Sequence, residues 1–164
     1  MAQNKKKADK TTRKFEPTIA NKKARYNYQL LEKLEAGIVL VGTEVKSLRQ
    51  GLASLDEAFC RVRDGELFLV GCTIALYEHG NRANHEPART RKLLVHKREL
   101  VKIESKLVQK GLTLIPVRIY FNRGLAKVEI ALARGKTQKD KRDKLRDRQA
   151  DRDIRQALNS RRHI

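Results

Sequence analysis

LTLIPVRIYFNRGLAKVEIALA, residues 112–133, predicts two β-strands joined by a short turn. Residues 112–121 are rich in β-branched and aromatic side chains, and the turn residues Asn122-Arg123-Gly124 follow them. Pro116 has no N–H to donate, so it indicates a sheet edge or a β-bulge in the first strand. The second strand, 125–133, alternates apolar and polar residues. One of its faces carries Ala126, Val128, Ile130 and Leu132.

A second hairpin is predicted upstream. Residues alternate from Ala58 to Arg63, Asp64-Gly65 is a strong signal for a two-residue turn, and 67–77 supplies the return strand. In that register Cys60 and Cys72 lie about 10 Å apart along the strands. A disulfide needs Cα atoms within roughly 7 Å, and no metal-ligand spacing surrounds either thiol. We therefore expect two free cysteines in the core.

Two short helices are predicted beside these strands. The first covers 44–50, opened by Thr43 and closed by Gly51, and it buries Val45 and Leu48. The second covers 96–110 and ends at Gly111. Its apolar residues share one face: Leu100, Ile103 and Leu107.

These elements predict a mainly β domain. Residues 38–41 suggest a further short strand, and the polar segment 78–90, which contains His79 and His85, suggests a mobile loop with solvated histidines. Five or six strands with two or three short helices in about 110 residues favour a small closed antiparallel barrel, of which the OB-fold is one example. Composition alone does not select it over other small barrels.

Positive charge is concentrated at the two ends of the chain. The 164 residues carry a formal net charge of +19, and 1–25 hold nine basic and two acidic residues, while 134–164 hold twelve and five. The composition therefore predicts a folded middle, 26–133, between two basic arms. Such an excess indicates a polyanionic partner, most commonly nucleic acid.

Several function classes find no support in the residues. Only 5% of the residues are aromatic, which disfavours a sheet that stacks several bases. There is no secretory signal, membrane span, Walker loop, dinucleotide motif or nucleophile motif, and the four histidines are scattered. We expect a cytoplasmic, non-catalytic protein without cofactor, metal or membrane partner.

Some polar residues allow two interpretations. Tyr26, within a basic stretch, either stacks on a base or belongs to a linker, whereas Tyr28 is expected to pack on the core. Glu35 either accepts from an RNA base edge or 2′-OH or pairs with a cation, and the residues alone favour the pair. Glu44 is open to the same two readings. The cations at 89–92 either contact an RNA backbone or are solvated.

The tail has a weak helical pattern. Apolar residues gather on one side of a helical wheel at Ala150, Ile154, Ala157 and Leu158. The stripe is too poor to dock firmly on the domain. We expect a tail that is disordered when free and helical in an anionic channel, the alternative being an inert solubilising tail.

Seven ordered motifs closely resemble the SmpB family, the SsrA-binding proteins of bacterial trans-translation. They are NKKAR at 21–25, LEAGI at 34–38, GTEVKSLR at 42–49, DGE at 64–66, RTRKLL at 89–94, KV at 127–128, and GK with DKR at 135–136 and 140–142. The resemblance implies an OB-fold RNA-binding domain at 18–133, which binds the tRNA-like domain of tmRNA (SsrA RNA). A basic disordered N-terminal arm at 1–17 and a basic tail at 134–164 flank this domain. It also implies delivery to the empty A site of stalled 70S ribosomes, where the tail senses the vacant mRNA channel. Elongation factor and alanyl-tRNA synthetase would be indirect partners through tmRNA.

The resemblance also implies site residues. The tmRNA-binding set is Asn21, Arg25, Glu35, Leu94 and Lys127. Tyr26 would contact the decoding centre. The tail set is Gly135, Lys136, Asp140, Lys141, Arg142 and Ile154, and Ala150 stands where some members have an aromatic residue. The competing hypotheses are a structural ribosomal or general single-strand-binding protein and an RNA-processing enzyme.

Overall fold

Strands dominate the described part of the chain, as the sequence predicts. The computed structural model describes residues 17–138, 142, 149 and 152–155. The strands in this part are β1 Ile19–Ala20, β2 Tyr28–Ile38, β3 Ala53–Ser54, β4 Phe59–Arg63, β5 Glu66–Val70, β6 Thr73–Ile74, β7 Arg91–Leu94, β8 Thr113–Asn122 and β9 Leu125–Gly135. The α-helices are α1 Lys22–Asn27, α2 Gly42–Arg49 and α3 Lys97–Lys110, with a 3-10 turn at Asn81–Ala83.

One large antiparallel sheet organises the domain. Its strand order is β1-β8-β4-β5-β7-β2-β9, and β9 also pairs with β8, while β3 and β6 form a separate pair. Along one edge β9 pairs with β2. This pairing begins with Tyr28 opposite Gly135 and ends with Gly37 opposite Lys127. Along its other edge it pairs with β8. Outward side chains of β2, β9 and β8 therefore share one surface.

The turns of both predicted hairpins are confirmed. Asp64 and Gly65 have φ of 53° and 69°, the left-handed pair that a tight turn between right-twisted strands requires, and Cys60 pairs with Leu69. Arg123 and Gly124, with φ of 51° and 77°, make the equivalent turn between β8 and β9. A register shift just after Pro116 shows that this residue marks a bulge.

The core lies on the inner face of the sheet and under α3. Its fully buried side chains include Leu48, Leu67, Leu69, Ile119 and Ile130. Each contributes about 1.5–3 kcal/mol by leaving water. Leu100 and Ile103 anchor α3, and its C-cap Gly111 has a φ of 56°, as its predicted role requires.

The cysteines behave as predicted. Cys60 and Cys72 are free and buried. Burial raises the pKa of both thiols, that of Cys72 to about 11. They are core residues, held in the protonated form that suits an apolar setting.

Two strand predictions were wrong. Of the strand expected at 38–41, only Ile38 lies in a strand: it is the last residue of β2, which begins at Tyr28, and the chain leaves the sheet before α2. The return strand expected over 67–77 stops at Val70. Gly71 has a φ of 71°, which turns the chain out of β5 before β6, and a Cβ there would lie 2.7 Å from the carbonyl oxygen of Glu57, so only glycine fits.

A buried ion cluster corrects the predictions for α2 and the loop. Helix α2 begins at Gly42 rather than after a Thr43 cap, and it buries Glu44 completely while Val45 is half-buried. Arg91 is also fully buried, with its Nε 2.9 Å from Glu44 Oε1, and Arg89 Nε donates to the same oxygen over 2.8 Å. The ion-pair interpretation of Glu44 is therefore confirmed, and neither solvation nor RNA contact holds for Arg91.

The segment 78–90 is docked by several polar contacts. The Asn84 side chain exchanges two hydrogen bonds with the backbone of Tyr77. His85 is buried, 2.9 Å from the Thr43 hydroxyl and 3.2 Å from the Ile74 carbonyl oxygen, so the expectation of a solvated histidine was wrong there. In the described residues, no helix is both long enough and apolar enough to cross a membrane.

Candidate RNA-binding surface

Three residues of the predicted tmRNA-binding set come together around Gly37. On one edge of β2, Gly37 pairs with Leu94 of β7, and on the other it pairs with Lys127 of β9. Glu35 lies two residues earlier on β2 and so shares the outward face of Gly37. We call Glu35, Leu94, Tyr120 and Lys127 the Glu35 cluster.

The carboxylate of Glu35 is held by two partners. Lys127 Nζ lies 3.2 Å from Oε1, and the Tyr120 hydroxyl donates to Oε2. The hydrogen bond from Tyr120 and then the one from Lys127 lower the pKa of Glu35. The same bond raises the pKa of Tyr120 to about 12. At neutral pH the cluster therefore presents a fixed carboxylate with oxygen lone pairs available to RNA donors.

Leu94 adds an apolar element to this surface. Its side chain is 53% exposed, so it is accessible to a ligand. A Cβ at Gly37 would lie 3.3 Å from Leu94 Cβ. Because Gly37 has no side chain, Leu94 has room beside it, and no side chain at position 37 projects from the surface between Leu94 and Lys127.

A second carboxylate continues the network along the same strands. Glu129 pairs with Lys33 Nζ at 2.7 Å and with Arg118 Nη2 at 2.7 Å, and the Arg118 guanidinium lies 5.0 Å from the centre of the Tyr120 ring. Hydrogen bonds from Lys33 and Arg118 lower the pKa of Glu129. The ion pairs of Glu129 with Lys33 and Arg118, and the contact of Arg118 with the Tyr120 ring, thus help to fix the position of Tyr120 in the Glu35 cluster.

Sequence reasoning missed Tyr120 and Arg118 as site residues. Both lie on the outward face of β8, where strand alternation could have placed them together. The alternation of residues does not predict strand register. Only the register shows that β8 lies close enough to β2, across β9, for these side chains to meet. No cluster of metal-ligating side chains occurs among the residues for which the structure gives positions.

Asn21 is built into the fold. It is buried, its side-chain oxygen accepts from the N–H of Ala24 at the start of α1, and its amide donates to the carbonyl oxygens of Leu55 and Pro116 over 2.9 and 3.1 Å. The first bond caps α1, and the other two tie its start to Leu55, just after β3, and to Pro116 of β8. The predicted RNA contact of Asn21 stays a prediction, and its visible role is to position Arg25.

The exposed residues of α1 lie beside the start of the tail. Arg25 and Tyr26 are exposed, and Lys136 Nζ donates to the Arg25 carbonyl oxygen over 2.9 Å. The N–H of Lys136 donates to Asn27, and Tyr28 pairs with Gly135. The structure thus joins Arg25, and the end of α1 that also carries Tyr26, to the first two residues of the tail set.

Tyr28 packs on the core, as expected. It contacts a small apolar cluster of Ala24, Ile115 and Ala133.

The α1 surface and the Glu35 cluster are separated along β2. Tyr28 begins β2, and Glu35 lies seven residues further on, which corresponds to roughly 20 Å of extended chain. The α1 surface and the Glu35 cluster are therefore two separate regions at opposite ends of β2, so Arg25 is not brought to the rest of the predicted tmRNA-binding set.

The later tail residues are only partly described. Arg142 and residues 152–155 have helical backbone, and Ile154 is exposed. Asp140, Lys141 and Ala150 lie outside the described residues. The arm predicted at 1–17 also lies outside them, apart from Pro17.

Comparison with known proteins decides the family. The family model described as SmpB protein matches residues 18–160. The chain belongs to the SmpB family. An SsrA-binding protein of Desulforudis audaxviator is 53% identical over 146 residues, 88% of this chain and 95% of that relative. One of Solidesulfovibrio magneticus is 54% identical over 138 residues, covering 84% and 90%.

A solved structure supports the same assignment. It carries the description "tmRNA-SmpB: a journey to the center of the bacterial ribosome", is 54% identical in sequence, and superposes with a TM-score of 0.63. The match covers 74% of this chain and 86% of that one. The predicted resemblance to the SmpB family is confirmed, and the fold shared with it is mainly β with a large antiparallel sheet.

Proposed function

We propose that this chain is the tmRNA-binding adaptor of trans-translation and that it works on the ribosome. The observation that carries the proposal is the Glu35 cluster: residues from four strands meet in one exposed site, on a family fold whose solved relative is a tmRNA–SmpB complex. Membership of the SmpB family over most of the chain assigns the RNA partner. The net charge of +19 suits it.

The Glu35 cluster supplies recognition rather than bulk affinity. A carboxylate repels phosphate, so its use in an RNA site is to accept hydrogen bonds from 2′-OH groups or base edges. Lys127 offsets its charge and offers a donor to a neighbouring phosphate. Leu94 supplies an apolar contact for a ribose or base face. The tRNA-like domain of tmRNA is the target that we assign to this cluster.

The α1 surface is assigned to the ribosome. Tyr26 is assigned to stack on a base of the decoding centre when the complex occupies an empty A site, and the exposure of its side chain supports this. The tail, 134–164, leaves the sheet at this same point and would enter the vacant mRNA channel, where it folds into a helix. Gly135, Lys136, Asp140, Lys141, Arg142 and Ile154 are the residues that we assign to this step.

The domain itself acts as a closed OB-type barrel in this proposal. Pairings β8–β4, β4–β5, β5–β7, β7–β2, β2–β9 and β9–β8 support closure, because following them returns to the first strand. The division into an arm at 1–17, an RNA-binding domain at 18–133 and a tail at 134–164 belongs to the same proposal.

The adaptor does no chemistry of its own in this account, because peptide transfer belongs to the ribosome. Elongation factor and alanyl-tRNA synthetase are partners only through tmRNA. The place of action is the cytoplasm, where stalled ribosomes occur.

Binding of tmRNA by single-site variants tests the assignment. Glu35→Ala and Lys127→Ala are titrated with the tRNA-like domain at fixed salt, beside Glu104→Ala and Lys102→Ala on the exposed face of α3 as matched controls. We expect the first pair to weaken binding and the second pair to match the wild type. Equal binding by all four variants would remove the Glu35 cluster from the site.

A further inference from the structure

The outward side of the β4–β5 hairpin carries aromatic rings and cations that the proposed function does not use. We define the hairpin face as Phe59, Arg61 and Arg63 of β4 with Phe68 and Val70 of β5. Phe59 is 44% exposed, both arginines are exposed, and Phe68 is half-buried. All of these except Phe59 line, together with Thr90, an open cleft of about 290 Å³.

Strand register places three of the relevant side chains in one row. Arg61 pairs with Phe68 across β4 and β5, and Phe68 pairs with Lys92 across β5 and β7. Neighbouring strands are about 4.8 Å apart, and directly paired residues point to the same side. The Phe68 side chain therefore lies between those of Arg61 and Lys92. The Lys92 ammonium pairs with Glu66 of β5, so Arg61 is the cation of this row that is left for a ligand. A flat ring beside an arginine is an arrangement suited to a base and its phosphate.

The arginines of this face are available to a ligand. Arg61 makes no hydrogen bond or ion pair with the residues that the structure describes. Arg63 pairs with Asp64 over 3.2 Å, but both side chains are more than 70% exposed, so the pair is weak. Binding a phosphate at either arginine would break no buried interaction.

The hairpin face is continuous with the Glu35 cluster through β7. Leu94 follows Lys92 by two residues and so lies on the same side of the strand, while Leu93 pairs with Ile38 of β2 on one edge and Leu67 of β5 on the other. Arg63, on the strand beyond β5, is therefore about two strand spacings, or roughly 10 Å, from Leu94.

We propose that the tmRNA-binding surface extends past Leu94 onto the hairpin face. The Phe68 ring stacks on an unpaired base of the tRNA-like domain, and Arg61 and Arg63 neutralise the phosphates beside it. The two exposed arginines, one without a partner among the described residues and one in a weak surface pair, favour RNA over a protein partner. A polyanion is the ligand that their charge and the charge of the whole chain complement. This inference rests on the proposed function and adds a base-stacking residue and two phosphate contacts to it.

The test is a salt-dependent titration of the full chain with the tRNA-like domain RNA. Each of Arg61→Gln and Arg63→Gln should weaken binding and reduce the slope of log affinity against log salt by about 0.7–0.9. Phe68→Leu should lower affinity about fivefold or more, because it loses the flat ring, whereas Phe68→Tyr should retain it. Arg98→Gln, an exposed arginine on α3, is the matched control.

The outcomes separate this inference from the proposed function. If the wild-type chain and Arg98→Gln bind the RNA while the three hairpin-face variants bind equally well with an unchanged salt slope, the inference is overturned. The same holds if those variants lose only ribosome binding, because the face then serves ribosomal RNA. If the wild-type chain does not bind the tRNA-like domain, the proposed function fails and the inference fails with it. Because Arg61 and Arg63 are exposed, their variants test the surface even if a change at Phe68 impairs folding.

Discussion

The Tyr120 hydroxyl donates a hydrogen bond to Glu35 Oε2, although their strands, β8 and β2, do not pair with each other. Strand β9 lies between them and contributes Lys127 to the other carboxylate oxygen at 3.2 Å. Glu35 is thus held from both sides before any RNA arrives. Because the carboxylate is already fixed, it loses less conformational entropy on RNA binding than a freely rotating glutamate side chain would.

Tyr120→Phe tests this positioning role. The variant removes the hydrogen bond that lowers the pKa of Glu35 most, so that pKa should rise toward its ordinary value. The Glu35 carboxyl can be followed by NMR titration, with Tyr28→Phe at the other end of β2 as control. We also expect several-fold weaker tmRNA binding with little loss of stability. An unchanged pKa of Glu35 in Tyr120→Phe would mean that the phenol does not hold the carboxylate.

Removal of Glu44 should destabilise the fold strongly. Glu44→Gln leaves the fully buried Arg91 without its counter-charge, and such a loss costs about 3–5 kcal/mol. Chemical denaturation should show this difference in the free energy of unfolding. Glu104→Gln, exposed on α3, should stay within about 0.5 kcal/mol of the wild type. A small effect at Glu44 would show that the cluster relaxes or admits water.

The same residue predicts a pH dependence of stability. Burial opposes ionisation of Glu44, but hydrogen bonds from Arg89 and the Val41 N–H, together with the charge of Arg91, leave its pKa lowered. An unfolded glutamate has a pKa of about 4.3, so the stabilisation is present above that pH and is lost as the pH falls through the folded value. The stability difference between wild type and Glu44→Gln should therefore be largest near pH 7 and shrink below about pH 4.5. A constant difference down to pH 3 would contradict it.

Asn21→Ala distinguishes a fold residue from an RNA contact. The change removes the N-cap of α1 and two buried hydrogen bonds, so we expect a loss of about 2–3 kcal/mol in stability. At a temperature where the variant is fully folded, its affinity for the tRNA-like domain should be near that of the wild type. A large affinity loss with unchanged stability would instead support direct contact by Asn21.

Local signals predicted the local structure well. The Asp64-Gly65 turn, the Pro116 bulge and the Gly111 cap each depend on the backbone preferences of one or two residues, and all three are confirmed. Gly71 shows the limit of this reasoning. The positive φ at which β5 ends and the close approach of the Glu57 backbone, from another part of the chain, both require glycine here, and neither was evident from the local pattern.

The sequence alone did not predict which side chains far apart in the chain would contact each other. The pattern around Glu44 suggested an ion pair, but the identity of Arg91 as a buried partner depends on β7 packing behind α2. Tyr120 joins the candidate site only because β8 and β2 flank the same strand. The family resemblance proposed Glu35, Leu94 and Lys127, and the strand register explains why residues so far apart in the chain adjoin.

Truncation of the tail tests the division of labour between the two ends of β2. Gly135 pairs with Tyr28 and Lys136 bonds to Asn27 and Arg25, so deletion of 138–164 keeps these contacts while deletion of 135–164 removes them. Both truncated chains should bind the tRNA-like domain with near wild-type affinity, because the Glu35 cluster is roughly 20 Å away. Neither should support tagging on stalled ribosomes, since each lacks the segment assigned to the mRNA channel. Full tagging by the 138–164 deletion would refute the role of the tail, and a loss of tmRNA affinity confined to the longer deletion would place Lys136 in the RNA-binding surface.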